Sequence, residues 1–215
     1  MKSLKTIQKY FGAALAGLFF AIGGVSAQAV DQSTPDGLIK NVVSDVMASV
    51  KSDPEIQKGN IQRIVDLVEK KIVPYTDMRR TTEMAMGPNW KKATPEQQTQ
   101  LIGEFKNLLI RTYSGALSQL RDQTIQFKPL RAASDDKEVI VKTVVIGRGD
   151  PVPLDYRLEK TANGWKVYDM NIMGVWLVEA YRNQFANQIS QNGVDGLVKF
   201  LQERNKQLAA AKPAN

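Results

Sequence analysis

The sequence contains no cysteine and no histidine. Without thiols no disulfide can brace the fold, so packing alone must hold it. Without imidazole, the Ser–His and Cys–His nucleophile pairs and the usual zinc sites are excluded. The G-x-x-x-x-G-K-[ST] phosphate loop is missing too, so any ATP must be spent by another protein. No run of five or more like charges occurs, which leaves nucleic acid without a footprint.

One long apolar run exists, FGAALAGLFFAIGG at 11–24, behind Lys2, Lys5 and Lys9 and ahead of Ala27-Gln28-Ala29. At about fourteen residues it is shorter than the roughly 20 that a spanning helix needs. Basic region, apolar region and A-x-A site together predict a signal peptide over 1–29, cut after Ala29 rather than after Ala27, and an address in the periplasm, with an uncleaved anchor and a Gram-positive exterior as the alternatives. No cysteine stands at the junction to take a lipid. The leader holds three of the 29 basic residues and no acid, so 26 basic residues remain against 22 acidic ones and the net charge falls from +7 to +4. That supports no more than a mild preference for anionic surfaces.

Two periods meet in GWKVYDMNIMGVWLVEAYRNQF (164–185). Strand alternation predicts Trp165, Val167 and Asp169 on one face and Lys166, Tyr168, Met170 and Ile172 on the other. From Gly174 the four-residue spacing of Leu177, Tyr181 and Phe185 predicts a helix. This corner is expected to form one wall of an apolar pocket.

Upstream, Thr34-Pro35 starts a helix carrying Leu38, Val42, Val46 and Val50, and Asp53-Pro54 restarts the chain. A second helix runs from Ile61 to a stop at Pro74, and a third over 76–86 ends at Gly87. Thr94-Pro95-Glu96-Gln97 is a capping box opening the longest helix, whose aromatic face is expected to lie on a sheet. Four strands follow, over 124–132, 137–147, 152–159 and 164–172, the second expected to be buried on both faces because it is β-branched almost throughout. Asn192-Gly193 breaks the last helical stretch, and a structureless tail is expected from Leu208 to Asn215. The prediction is a single α+β domain over 30–207: a four-stranded antiparallel meander with about six helices around an apolar pocket.

The stretches 75–117, 152–185 and 192–201 resemble the MlaC family of secreted phospholipid-binding proteins, also called the toluene-tolerance family. The specific features are Gly87 through Trp90 followed by Ala93 through Gln97, then Thr112-Tyr113, Trp165, Tyr168-Asp169, Gly174-Val175 and Gly193 through Leu197, in that order and spacing. Many members carry a small residue such as Ser after the Gly-Val pair, where this chain has Trp176, expected to line and narrow the cavity or, alternatively, to point outward to a partner. The resemblance implies a mixed α/β fold enclosing a deep apolar cavity for acyl chains, with the head group near solvent. It implies a non-enzymatic monomer with phospholipid as cargo and no cofactor. The implied partners are an outer-membrane lipoprotein–porin complex and an inner-membrane ABC transporter with its MCE-domain hexamer.

The expected lipid contacts on the long helix are Leu101, Phe105, Leu108, Leu109 and Tyr113. From the strands come Val141, Val145, Leu154, Tyr156, Tyr168, Met170 and Ile172, and from the corner Val175, Trp176 and Tyr181, with Met78 from the third helix. No residue is assigned to catalysis or to a metal. Plainer readings stand beside these: the helical row as ordinary core, Tyr156 and Tyr168 as a cross-strand pair, and Arg79-Arg80 as a solvated helix face. Asp155 and Asp169 could serve a small enzyme of the NTF2-like kind, or could be a partner for Arg157 and a turn or cap acceptor. A periplasmic chaperone or adaptor is the third class.

Overall fold

The computed structural model describes residues 33–133 and 135–210. The expected leader and the last five residues lie outside them.

Helix α1 (Pro35–Ser52) starts where predicted: Thr34 accepts from the Gly37 N–H and Pro35 occupies the first turn. The Asp53 side chain caps a single turn, α2 (Pro54–Gln57), that sequence spacing alone does not reveal. Helix α3 (Ile61–Lys71) is followed by a 3-10 turn at Val73–Tyr75. Helix α4 (Met78–Met86) stops at Gly87, whose φ of 56° suits glycine. The capping box of α5 (Pro95–Ser118) is complete, with Gln97 N–H donating to Thr94 Oγ1 at 3.2 Å and Thr94 N–H to Gln97 Oε1 at 2.9 Å. Helix α6 (Leu177–Ala210) kinks at Gly193 (φ 69°, ψ −174°), as the Asn192-Gly193 break predicts, and continues past Leu208, where a tail was expected.

The sheet is an antiparallel meander of five strands, not four: β1 (Thr124–Phe127), β2 (Glu138–Ile146), β3 (Val152–Thr161), β4 (Gly164–Ile172) and β5 (Val175–Trp176), hydrogen-bonded in that order. Strand β5 is too short to show a period, and the helix expected from Gly174 starts three residues later. β1 ends at Phe127, well before the predicted 132. In β2 only alternate residues are buried, so its expected two-sided burial is corrected: Val139, Val141, Thr143 and Val145 face in, while Glu138, Ile140 and Lys142 are exposed.

The β4–β5 turn places Met173 at φ 53° and Gly174 at φ 91°. Two successive positive φ values are the geometry for which Asn-Gly is the favoured pair. A non-glycine, non-Asn residue there costs about 1–2 kcal/mol. Met173→Asn should therefore raise stability by about 1 kcal/mol in urea unfolding.

Three apolar clusters form the interior. One lies among α4, α5 and α6, one between α1 and the inner face of the sheet, and one among α1, α2, α3 and α5. The sheet lies on α1, with α4 and α6 against β4, while α5 packs chiefly on α6, α3 and α4. The expectation that α5 lies on the sheet is thus corrected: its aromatic face turns to α6.

Candidate lipid site

The inner face of the sheet is set by register. Val139, Val141 and Thr143 lie opposite Leu158, Tyr156 and Leu154, which lie opposite Val167, Met170 and Ile172. Leu38 and Ile39 of α1 cover Leu158, Trp165 and Val167. Towards the other end, Leu154, Met170 and Ile172 are only half-buried. Apart from exposed Lys160 at the turn end, opposite Trp165, the face carries no charge. Thr143 Oγ1 donates to the Leu154 carbonyl at 2.5 Å, and burial pushes the Tyr156 phenol up to about 12, so it stays neutral. An apolar face whose polar groups are neutral or internally satisfied is a surface hydrocarbon can cover without leaving a charge unpaired.

The helical layer supplies a second apolar surface. The Phe105 ring is fully buried, with the rings of Tyr181 and Phe185 edge-on at 4.9 Å each. Leu101 and Leu108 are buried beside it, and Leu109 and Tyr181 are half-buried at the margin of the cluster. Tyr113 lies by Tyr181, and burial raises both phenols.

Twelve of the sixteen predicted contacts fall into these two sets: Leu101, Phe105, Leu108, Leu109, Tyr113 and Tyr181 on the helices, and Val141, Val145, Leu154, Tyr156, Met170 and Ile172 on the sheet. The other four lie elsewhere. Met78 is the half-buried first residue of α4, and Val175 is 55% exposed.

Tyr168 and Trp176 stand on the outer face, contrary to their assignment to the pocket wall. The register of β3 with β4 slips by one residue, since Leu158 pairs with Val167 but Arg157 pairs with Asp169. Tyr168 is the extra residue of a β-bulge, and the alternation read from the sequence changes phase there. Met170 and Ile172 consequently join Trp165 and Val167 on the inner face. Tyr168 instead donates to Glu138 Oε2 at 3.0 Å beneath the Arg80 guanidinium, 3.9 Å from its ring centroid. It is therefore no cross-strand partner of Tyr156. Arg80, expected on a solvated face, pairs with both Glu138 and Glu159. Trp176, opposite Asn171, lies 3.7 Å from the Arg157 guanidinium carbon.

Asp169 is engaged on every side. Its Oδ2 accepts from Arg157 at 3.1 Å, and its Oδ1 accepts from the N–H groups of Met170 and of Val178 in the first turn of α6. It ties the corner together as ion-pair partner and helix cap, the plainer of the two roles read from the sequence. Glu159 Oε1 and Asn205 Oδ1 are buried side-chain atoms without a partner among the described residues.

One feature escaped the sequence reading. A groove of about 700 Å³ opens on the outer face, lined by Lys128, Arg131, Glu138, Ile140, Lys142 and Tyr168 among others. β-branched residues stand on both faces of β2, so the alternation that would have marked Ile140 and Lys142 as outward was hidden.

The family model for MlaC protein matches residues 40–203. Among curated proteins the chain is 28% identical over 200 residues to the toluene tolerance protein Ttg2D of Pseudomonas putida, covering 92% of each chain. It is 20% identical over 187 residues to the intermembrane phospholipid transport system binding protein MlaC of Haemophilus influenzae, covering 85% of this chain and 87% of that one. A solved structure of the phospholipid-binding protein from Ralstonia solanacearum, in complex with a phospholipid, superposes with a TM-score of 0.77 at 57% identity, covering 80% of this chain and 96% of that chain. The family model spans most of the chain, and the chain belongs to the MlaC family.

Proposed function

We propose that this protein is a periplasmic phospholipid carrier and not an enzyme, holding acyl chains between the inner face of the sheet and the helical layer of α5 and α6. The observation that carries this reading is the 57% identity to a protein solved with a phospholipid in place. The absence of charge on the inner face around Leu154, Tyr156 and Met170 supports it, as do the two sets of half-buried apolar side chains, Leu109 with Tyr181 and Leu154 with Met170. Each buried CH₂ is worth about 0.8 kcal/mol, so two tails of about 15 groups would cost on the order of 20 kcal/mol to expose. A lipid crosses water usefully only inside such a protein. No described helix is long and apolar enough to cross a membrane, and no described cluster of acidic residues could hold a metal. In this reading the carrier acts as a monomer, between an outer-membrane lipoprotein–porin complex and an inner-membrane ABC transporter with its MCE-domain hexamer.

Two variants locate the site. Val141→Trp places a large ring on the inner face, and Leu109→Trp does so from the half-buried margin of the helical layer, where the fold tolerates it better. Each purified variant should carry several-fold less phospholipid by mass spectrometry than the parent. Full loading of a folded Leu109→Trp together with a folded Val141→Trp places the acyl chains elsewhere.

A further inference from the structure

We propose that the outer face of the sheet around β2 is a docking groove for an acidic segment of a partner protein. The groove holds about 700 Å³ and is bounded by the loop after β1, by β2, and by Arg157 and Tyr168 of the neighbouring strands. Its charges fall into two classes. Glu138 shares Arg80 with Glu159 and accepts from Tyr168, and Arg157 pairs with Asp169 and, at 3.9 Å, with Glu179, so these are engaged within the fold. Lys128, Arg131 and Lys142 have no carboxylate within ion-pair distance among the described residues. The lining also holds Asp136, whose carboxylate accepts from the Ala133 N–H at 2.8 Å, so it carries four cations to two acids, with Asp155 opposite Lys142 in the register.

Between the cations the floor is apolar. Ile140 is 40% exposed, an exposed large hydrophobic side chain in mid-strand, and Pro129 lines the groove beside the loop. Cations around an apolar floor complement a segment that offers carboxylates and an apolar anchor. A lone phosphate would occupy a small part of the space. The groove is also distinct from the proposed acyl site: the outward Glu138, Ile140 and Lys142 line it, whereas Val141, Tyr156 and Met170 of the inner face do not. The inference therefore stands or falls independently of the carrier reading.

The test places a photo-crosslinking benzoyl-phenylalanine at Ile140 of the full chain, in cells that make the protein natively, with exposed Gln184 on α6 as the control position. Irradiation should give an adduct at 140 and not at 184, and mass spectrometry should place it in an Asp- and Glu-rich segment of another protein. Lys128→Glu, Arg131→Glu and Lys142→Glu together should lower the adduct yield at least about tenfold, and raised salt should lower it too, as exposed charge pairs are screened. These surface changes should leave melting temperature and bound phospholipid unchanged. An adduct to phospholipid, to a neutral or basic segment, or to position 184 equally would overturn the proposal. So would a yield indifferent to charge reversal, or no adduct at all.

Discussion

Phe105→Ala should lower the stability of the lipid-free protein by about 3–5 kcal/mol, the range for truncating a fully buried aromatic ring. The ring has no exposed surface and sits between Tyr181 and Phe185, both edge-on at 4.9 Å, so the change leaves a cavity and removes two favourable ring contacts. For a chain of this length that corresponds to a fall in melting temperature of about 10 °C. Calorimetry of delipidated protein separates the two readings of this residue. A core role moves the melting temperature without ligand, whereas a residue that only touches lipid would change loading and leave delipidated stability alone.

Asp169→Ala should be nearly as damaging, at about 3 kcal/mol, because it leaves the buried Val178 N–H without an acceptor and Arg157 with only the exposed Glu179, 3.9 Å away. Asp169→Asn keeps an acceptor for both backbone N–H groups and should lose about half as much. The pH dependence has a definite sign. Burial, the largest influence, raises the Asp169 carboxyl above the ordinary 3.8 although both N–H donors and Arg157 lower it. A carboxyl whose folded pKa lies above its unfolded value adds stability that is fully present below the unfolded value and is lost as pH rises through the folded one. Asp169 thus favours the fold increasingly as pH falls through that window, and Asp169→Asn should remove this component. Urea titrations at a series of acidic pH values would show it. An unchanged pH slope in Asp169→Asn would falsify the shift.

The readable parts of this fold are those written in local chemistry. Thr34-Pro35, the capping box at Thr94, Gly87 and Asn192-Gly193 each act within a few residues, so the ends of α1, α4 and α5 and the kink in α6 follow from the sequence. The meander follows too, from short turns between alternating runs. What could not be read depends on partners distant in the chain. The bulge at Tyr168 exists only relative to β3, and it alone moves Tyr168 outward and Met170 inward. Strand β5 is two residues long and is defined by its pairing with β4. Whether the aromatic face of α5 meets the sheet or α6 is a tertiary choice, and the row Leu101, Phe105, Leu108 fits either. Of the two expectations for Trp176, narrowing the cavity or pointing outward, register decides for the second and puts it beside Arg157 on the far face. The family was legible because several weak motifs recur in one order, which no single residue provides.

Phospholipid content of the native protein is the most direct measurement. Protein purified without detergent from the cells that make it, extracted with organic solvent and analysed by mass spectrometry, should yield phospholipid in near-stoichiometric amount. A folded protein that is lipid-free on isolation, and stays so after incubation with phospholipid vesicles, would contradict the carrier reading.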